Sequence, residues 1–147
     1  PLKAIAQLEA LVEEFIEQPL FLVGSSLGGY LSTFLAQKYL LKACLVNPAI
    51  RPYELLSDYI GWQENPYTQE KYRVEAIHME QLKAIEQQKI DENRYMVMVQ
   101  TGDEVLDYRQ AVEKFGSSQL IVQQGGDHSF ERFETMLPSI TRFFQLQ

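Results

Sequence analysis

Three side chains in this sequence have the types and positions that nucleophilic acyl chemistry requires. Ser26 stands at the centre of Gly24-Ser25-Ser26-Leu27-Gly28, directly after an apolar run at residues 20–23. Asp103 and His128 each follow a later apolar run. A serine hydroxyl becomes an effective nucleophile when a histidine takes its proton and a carboxylate orients that histidine. The chain order Ser, Asp, His therefore predicts an acyl-transfer site.

The pattern around Ser26 is typical of a sharp turn from a strand into a helix. Such a turn forces the central serine into strained backbone angles, and we expect side chains at Gly24 and Gly28 to collide there. The turn would expose the Ser26 hydroxyl and place the backbone N–H of Leu27 at the start of a helix, where it can stabilise an oxyanion. The alternative is that the glycines only allow a tightly packed turn without chemistry.

The sequence contains two histidines, and their surroundings differ. His128 ends a Gly-Gly-Asp-His turn after the run at residues 120–123, so it is the predicted general base. The alternative for His128 is a surface histidine whose hydrogen bonds are satisfied. His78 lies in a polar stretch, for which we expect a solvated position on a helix or loop.

Asp103 is the acid best placed to orient the base, because it comes just after the apolar run at residues 95–100. Asp107 is the main rival, but it precedes a helical pattern and has Gln110 three residues later. That spacing predicts a helix N-cap with a capping-box partner. Glu104 and Asp127 are weaker rivals.

The elements that must position these residues alternate between strands and helices. This alternation predicts an α/β fold with a mostly parallel sheet and helices on both faces. The carboxyl ends of its strands meet at one edge of the sheet, so the serine, the acid and the histidine should meet there. The predicted strands are residues 20–23, 42–46, 95–100 and 120–123. The predicted helices are residues 2–16, 27–39, 53–59, 79–88, 107–115 and 131–144, and Pro138 could interrupt the last of them.

Composition narrows the classes of function. A chain of 147 residues predicts one domain, and a net charge of −7 disfavours nucleic acid or an anionic membrane as a partner. No apolar run approaches the roughly 20 residues that span a bilayer. The single Cys44 excludes an internal disulfide and, within an apolar run, is expected to be a buried small hydrophobe, which favours the cytoplasm. We expect no metal and no organic cofactor.

Taken together, the motifs resemble those of the α/β-hydrolase superfamily and, within it, the YqiA-like bacterial esterases of the UPF0227 type. The matching segments are VGSSLGGY, LVNPAIRPYELLSDYIG, ENPYT, QTGDEVLDYRQAV and GGDHSF. The resemblance implies a compact serine esterase and assigns the catalytic roles to Ser26, Asp103 and His128. Members of this family are similar to hydrolases of short-chain esters or acyl thioesters.

The resemblance also implies a His-Gly loop that supplies a second oxyanion N–H. No His-Gly dipeptide occurs in this sequence. We therefore expect that the N-terminal strand and this loop are missing, and that these 147 residues alone are poorly active.

The segment at residues 49–94 is longer than an ordinary helical crossover, so it is a candidate cap over the site. Several of its aromatic residues could line an acyl pocket, or could instead pack the cap onto the body of the domain. Arg51 could meet a substrate carboxylate or phosphate, or could pair with a nearby acid. The aromatic candidates are Tyr53, Tyr59, Trp62, Tyr67 and Tyr72.

The predicted function is hydrolysis of a small acyl ester or thioester through an acyl-serine intermediate. A domain that keeps this fold for binding, without turnover, is the alternative from another class. A protein–protein module has only the acidic composition in its favour. Acyl length, leaving group and oligomeric state are not predicted.

Overall fold

The computed structural model describes residues 1–146 and contains two sheets. Four strands form a parallel sheet in the order β1-β2-β5-β6, and two form an antiparallel hairpin. The strands are β1 (Phe21–Ser26), β2 (Lys42–Pro48), β3 (Gly61–Glu64), β4 (Lys71–Val74), β5 (Tyr95–Gln100) and β6 (Gln119–Gln123). The helices are α1 (Leu2–Phe15), α2 (Leu27–Tyr39), α3 (Pro52–Leu55), α4 (Ala76–Ala84), α5 (Tyr108–Phe115) and α6 (Leu137–Phe144).

The central strands are apolar on both faces, as expected of a parallel sheet that helices cover on each side. Leu45 and Val97 face a cluster that contains residues of α2 and α5. Their neighbours Cys44 and Met96 face the opposite cluster, which includes residues of α6. The predicted α/β class, with a mostly parallel sheet and helices on both faces, is confirmed.

The segment between β2 and β5 was predicted only in part. It contains α3, a 3-10 turn at Leu56–Tyr59, the β3–β4 hairpin and α4. The predicted helix at residues 53–59 is therefore split, and the one predicted at 79–88 runs from Ala76 to Ala84. The hairpin was not predicted, because its strands are short and rich in exposed polar residues.

The last helix also starts later than predicted. A 3-10 turn occupies Phe133–Met136, and α6 begins at Leu137 with Pro138 in its first turn. Arg132 has a φ of 59°, a left-handed conformation that interrupts the helix predicted from residue 131. Proline is well tolerated in a first helical turn, where its missing N–H would have no partner.

The sheet leaves β1 at one edge, where the side chain of Val23 is 56% exposed. Within residues 1–146, none of the helices combines the length and the apolar character needed to cross a bilayer. All four strands of the parallel sheet direct their carboxyl ends to the same edge, and the candidate site lies there.

Candidate active site

The turn at Ser26 joins β1 directly to α2. Ser26 is both the last residue of β1 and the N-cap of α2, with a φ of 54° and a ψ of −122°. These angles are costly for a residue with a side chain, and they persist only where the surroundings hold them. One such restraint is the carbonyl of Ser26, which accepts a hydrogen bond from the N–H of Ala49 at 3.0 Å. The helix begins at Leu27, so the N–H of Leu27 has no partner within the helix.

The glycines of this turn do not have equal roles. A Cβ at Gly24 would overlap the carbonyl oxygen of Gly28 and the Oγ of Ser32, so glycine is required there. The expected collision at Gly28 is wrong, because a Cβ built there has no atom within 4 Å. The next residue, Gly29, is the second close approach, since its Cβ would lie 2.7 Å from the Cβ of Pro48. The helix therefore packs against β1 through Gly24 and against β2 through Gly29.

The carboxylate of Asp103 is held by the turn that follows β5. Its Oδ1 accepts hydrogen bonds from the backbone N–H groups of Val105, at 2.9 Å, and Leu106, at 2.8 Å. The side chain is only 2% exposed. A carboxylate bound in this way has a fixed orientation and presents its other oxygen, Oδ2, to a further donor.

His128 lies in the loop after β6 and contacts both other members of the predicted triad. Its Nδ1 is 2.9 Å from Oδ2 and 3.0 Å from Oδ1 of Asp103, and its Nε2 is 3.0 Å from the Oγ of Ser26. A carboxylate only accepts, so Nδ1 donates to Asp103. Nε2 is then the acceptor that faces the serine hydroxyl, which is the arrangement a general base needs.

Three of the rival residues have other contacts, whereas Oδ1 of the fourth, Asp127, is buried without a hydrogen-bond partner. Asp107 caps α5 as predicted, because its Oδ1 accepts from the N–H of Arg109 at 3.0 Å, but the predicted capping-box bond from the side chain of Gln110 is not formed. Glu104 accepts the backbone N–H of His128 at 3.0 Å. His78 is half-buried and belongs to the capping box of α4, where its Nδ1 accepts the N–H of Glu75 at 3.1 Å.

Two buried amides at this edge were not singled out from the sequence. Asn47, in β2, and Gln100, at the end of β5, hydrogen-bond to the backbone of the loop that carries His128. Both are polar residues at the carboxyl end of an otherwise apolar strand, and that position was the available signal. Among residues 1–146, no group of three or more histidine, cysteine or acidic side chains is arranged to hold a metal ion.

An apolar cavity of about 460 Å³ opens beside the nucleophile turn. It lies between the starts of α1 and α2 and the segment at residues 49–94, and its wall includes Leu27, the residue after Ser26. Two polar residues, Arg73 and His78, also line it. The other apolar residues of the wall include Leu31, Leu56, Tyr72, Val74, Met79 and Leu82. A cavity of this size and character is suited to the apolar part of a small molecule.

The substrate-binding residues predicted from the sequence lie elsewhere, and none of the three lines this cavity. Arg51 is exposed and pairs with Glu54 at 3.9 Å. Tyr53 packs against the buried Tyr30–Ala49–Leu82 cluster and donates its hydroxyl to Glu86. Trp62 is 72% exposed on β3. Of the five aromatic candidates, Tyr72 is the one that contributes to the wall.

Burial determines the ionisation of several groups around the sheet. The thiol of Cys44 is fully buried, which raises its pKa to about 12, so it is a packing residue as predicted. Burial, followed by the hydrogen bond to Glu86, raises the pKa of the Tyr53 hydroxyl to about 12. Burial likewise raises the pKa of Tyr95 to about 12. These groups are uncharged at neutral pH and are not candidates for proton transfer there.

Solved structures with a similar fold are hydrolases by name. Alpha/beta hydrolase domain-containing protein 10 from mouse is 17% identical, with a TM-score of 0.70 over 96% of this chain and 68% of its own. The esterase domain of a Rhodothermus marinus protein is 14% identical, with a TM-score of 0.63 over 94% and 68%. Monoacylglycerol lipase from Paleococcus ferrophilus is 12% identical, with a TM-score of 0.63 over 98% and 75%. The likeness establishes an α/β-hydrolase fold.

The sequence itself matches one family model over nearly its whole length. The matched residues are 1–145, and the model is described as "Uncharacterised protein family (UPF0227)". The matched range includes the turn at Ser26, the turn at Asp103 and the loop at His128. The chain therefore belongs to the UPF0227 family, the family of the YqiA-like proteins.

Proposed function

We propose that this protein is a serine esterase that hydrolyses apolar acyl esters or acyl thioesters. The observation that carries the proposal is the continuous hydrogen-bonded chain from Ser26 Oγ through His128 to the Asp103 carboxylate. Three residues that are far apart in the sequence meet with distances of 2.9 to 3.0 Å, at the edge where α/β proteins bind ligands. The names of the structural relatives, a hydrolase, an esterase and a lipase, support ester hydrolysis.

The proposed reaction has two halves. The Oγ of Ser26 attacks the carbonyl carbon while Nε2 of His128 takes its proton, and Asp103 stabilises the imidazolium that forms. The negatively charged oxygen of the tetrahedral intermediate accepts a hydrogen bond from the free N–H of Leu27. Collapse of the intermediate expels an alcohol or thiol, which takes the proton from His128. Water then attacks the acyl-serine while His128 takes its proton, and collapse of this second intermediate releases the carboxylic acid and returns the proton from His128 to the Oγ of Ser26.

The apolar cavity beside Leu27 is the proposed site for the acyl group. It adjoins the nucleophile turn, and most of its wall is aliphatic or aromatic. Residues 49–94 supply the far wall and act in this proposal as a cap within a single domain. The same machinery acts on oxygen esters and thioesters, because both proceed through the acyl-serine. The buried, single cysteine is consistent with the reducing cytoplasm as the proposed location.

The proposal is tested by steady-state hydrolysis of p-nitrophenyl esters and of an acyl thioester. Ser26→Ala is expected to lower kcat by a factor on the order of 10⁶, as for loss of a triad nucleophile. Ser25→Ala is the matched control, since Ser25 is the adjacent serine and its hydroxyl takes no part in the hydrogen bonds that join Ser26, His128 and Asp103. Wild-type activity that does not exceed that of Ser26→Ala would reject the proposal for this chain, and binding of the ester without turnover would then favour a non-catalytic binding domain.

A further inference from the structure

The loop that carries His128 has no regular secondary structure that could fix the imidazole. It follows β6 and includes Gly125 and Gly126, both with positive φ, at 77° and 74°. We propose that Asn47 and Gln100 are positioning residues, which hold this loop so that His128 meets Ser26 and Asp103 together. This inference rests on the proposed function, in which His128 is the general base.

Asn47 connects β2 to this loop and to β5. Its side-chain Nδ2 donates to the carbonyls of Asp127, at 2.9 Å, and His128, at 3.1 Å. Its Oδ1 accepts the backbone N–H of Gln100 at 3.0 Å. Asn47 is 2% exposed and has a φ of 39°, a region that asparagine tolerates better than most residues. The backbone of His128 itself is thus bound directly by a side chain from the middle of the sheet.

Gln100 binds the same loop from β5 and uses its whole hydrogen-bonding capacity. Its Oε1 accepts the N–H groups of Asp127, at 3.1 Å, and Glu131, at 2.9 Å. Its Nε2 donates to the carbonyl of Glu131 and to Oε1 of Gln123, both at 2.9 Å. Two acceptor and two donor contacts fill the side-chain amide and fix its orientation.

The loop that carries His128 packs closely against the side chain of Gln100. A Cβ at Gly126 would overlap the Oε1 of Gln100, so the loop passes directly over the amide. Gln100 is 3% exposed, and water cannot readily replace the bonds it makes. Backbone groups on both sides of His128 are therefore attached to β5, while the carbonyl of His128 is attached to Asn47.

The expected chemical consequence concerns the position of the imidazole of His128. Neither side-chain amide hydrogen-bonds to Ser26, and neither residue lines the cavity beside Leu27. Loss of either should let the loop shift while the substrate site remains. A displacement of about 1 Å in a reacting group can lower a rate by about 10²-fold. The effect should therefore fall on kcat, with KM nearly unchanged.

The test uses two variants on different strands, each with a matched control. Asn47→Asp keeps the shape but replaces a double donor by an acceptor that faces two carbonyls. Gln100→Met keeps the length but removes all four contacts. Asn65→Asp, in the hairpin turn, and Gln110→Met, exposed on α5, repeat the same chemical changes away from the site. Each variant must show a cooperative thermal transition, which establishes that it is folded. If only one of Asn47→Asp and Gln100→Met folds, that variant alone tests the proposal.

Two measurements are made on each variant. The first is kcat and KM for p-nitrophenyl acetate, with kcat expected to fall by about 10²-fold and KM to stay within about threefold. The second is the ring ¹H–¹⁵N signal of His128, in which the Nδ1–H bound to Asp103 should exchange slowly in the wild type and rapidly in both variants. The two control variants should match the wild type in both measurements.

The second measurement does not require activity, so it separates the two proposals. A wild type that keeps its slowly exchanging Nδ1–H but hydrolyses no ester would reject the esterase proposal alone, and the variants would still report on positioning. The inference is overturned if either folded variant, Asn47→Asp or Gln100→Met, keeps the slow Nδ1–H exchange. A fall in kcat with that signal intact would also overturn it, because the amides would then act through something other than His128.

Discussion

The hydrogen bonds of Asp103 make a specific prediction about the isosteric change Asp103→Asn. Oδ1 is bound by two backbone N–H groups, from Val105 and Leu106, at 2.9 and 2.8 Å. An asparagine must therefore keep its carbonyl oxygen at that position, because an NH₂ group there would face two donors. Its NH₂ group then takes the place of Oδ2, 2.9 Å from the Nδ1 of His128.

This replacement should move the proton of the neutral histidine from Nδ1 to Nε2. The asparagine NH₂ would lie 2.9 Å from Nδ1 and the retained carbonyl oxygen 3.0 Å from it, and we expect Nδ1 to accept from the nearer NH₂, so that the neutral imidazole carries its proton on Nε2. Nε2 then donates towards the Oγ of Ser26, 3.0 Å away, and cannot accept its proton. The analogous change in a serine protease triad lowers kcat by about 10⁴-fold. We expect a similar loss here, equivalent to about 5 kcal/mol of transition-state stabilisation.

The assay compares kcat for p-nitrophenyl acetate in the wild type, Asp103→Asn and Asp107→Asn. Asp107 undergoes the same chemical change four residues away, and asparagine caps a helix about as well as aspartate. The control should therefore keep its activity and its melting temperature. KM should change little in either variant, because neither carboxylate lines the cavity beside Leu27.

An Asp103→Asn variant that retains more than about a tenth of the wild-type kcat would refute this reasoning. It would mean that the tautomer of His128 is not set by Asp103. An equal loss in Asp107→Asn would refute it as well, since the effect would then not be specific to the residue that contacts the imidazole.

Three further predictions follow from the packing and from the buried groups. Gly24→Ala should destabilise the protein by about 1–3 kcal/mol through overpacking, whereas Gly28→Ala should stabilise it by about 0.5–1 kcal/mol. Thermal unfolding measures both changes, and the reverse order of stability would contradict the geometry of the turn. Met79→Trp should fill the cavity and lower kcat/KM for long acyl esters more than for acetate. Ile77→Trp, on the exposed face of the same helix, should leave this preference unchanged. The same ratio of kcat/KM for long and short esters in both variants would exclude the cavity as the acyl site. Burial raises the pKa of the Cys44 thiol from 9.0 to about 12, so the unfolded chain ionises first, and the stability present below pH 9 is lost as pH rises towards 12. Urea unfolding between pH 9 and 11 should show the wild type losing about 1.4 kcal/mol per pH unit more than Cys44→Ala, and parallel curves would be evidence against this.

The sequence predicted the parallel sheet because its strands are short apolar runs bounded by glycine, proline and polar residues. Those runs are buried on both faces, so their hydrophobicity alone identifies them. The β3–β4 hairpin lacks this signal, because Trp62, Tyr72 and their neighbours are largely exposed. The start of α4 depends on reciprocal bonds between Glu75 and His78, and no hydrophobic pattern marks them.

The candidate site was predictable where function depends on residue type at a strand end. Ser26, Asp103 and His128 satisfy that condition, and their contacts now support the hypothesis that they form a triad. Asn47 and Gln100 were missed because their importance lies in long-range bonds to the backbone, which a sequence pattern does not encode. Gly28 was misinterpreted for a related reason, since the close approaches of the helix fall at Gly24 and Gly29.

The central claim is that the Oγ of Ser26 is a nucleophile activated by His128, and covalent labelling tests it most directly. The protein is treated with a fluorophosphonate, digested and mapped by mass spectrometry, alongside Ser25→Ala and His128→Ala. We predict a single adduct on Ser26, formed equally in Ser25→Ala and far more slowly in His128→Ala. An adduct on Ser25 or none on Ser26, or a labelling rate that does not depend on His128, would contradict the account.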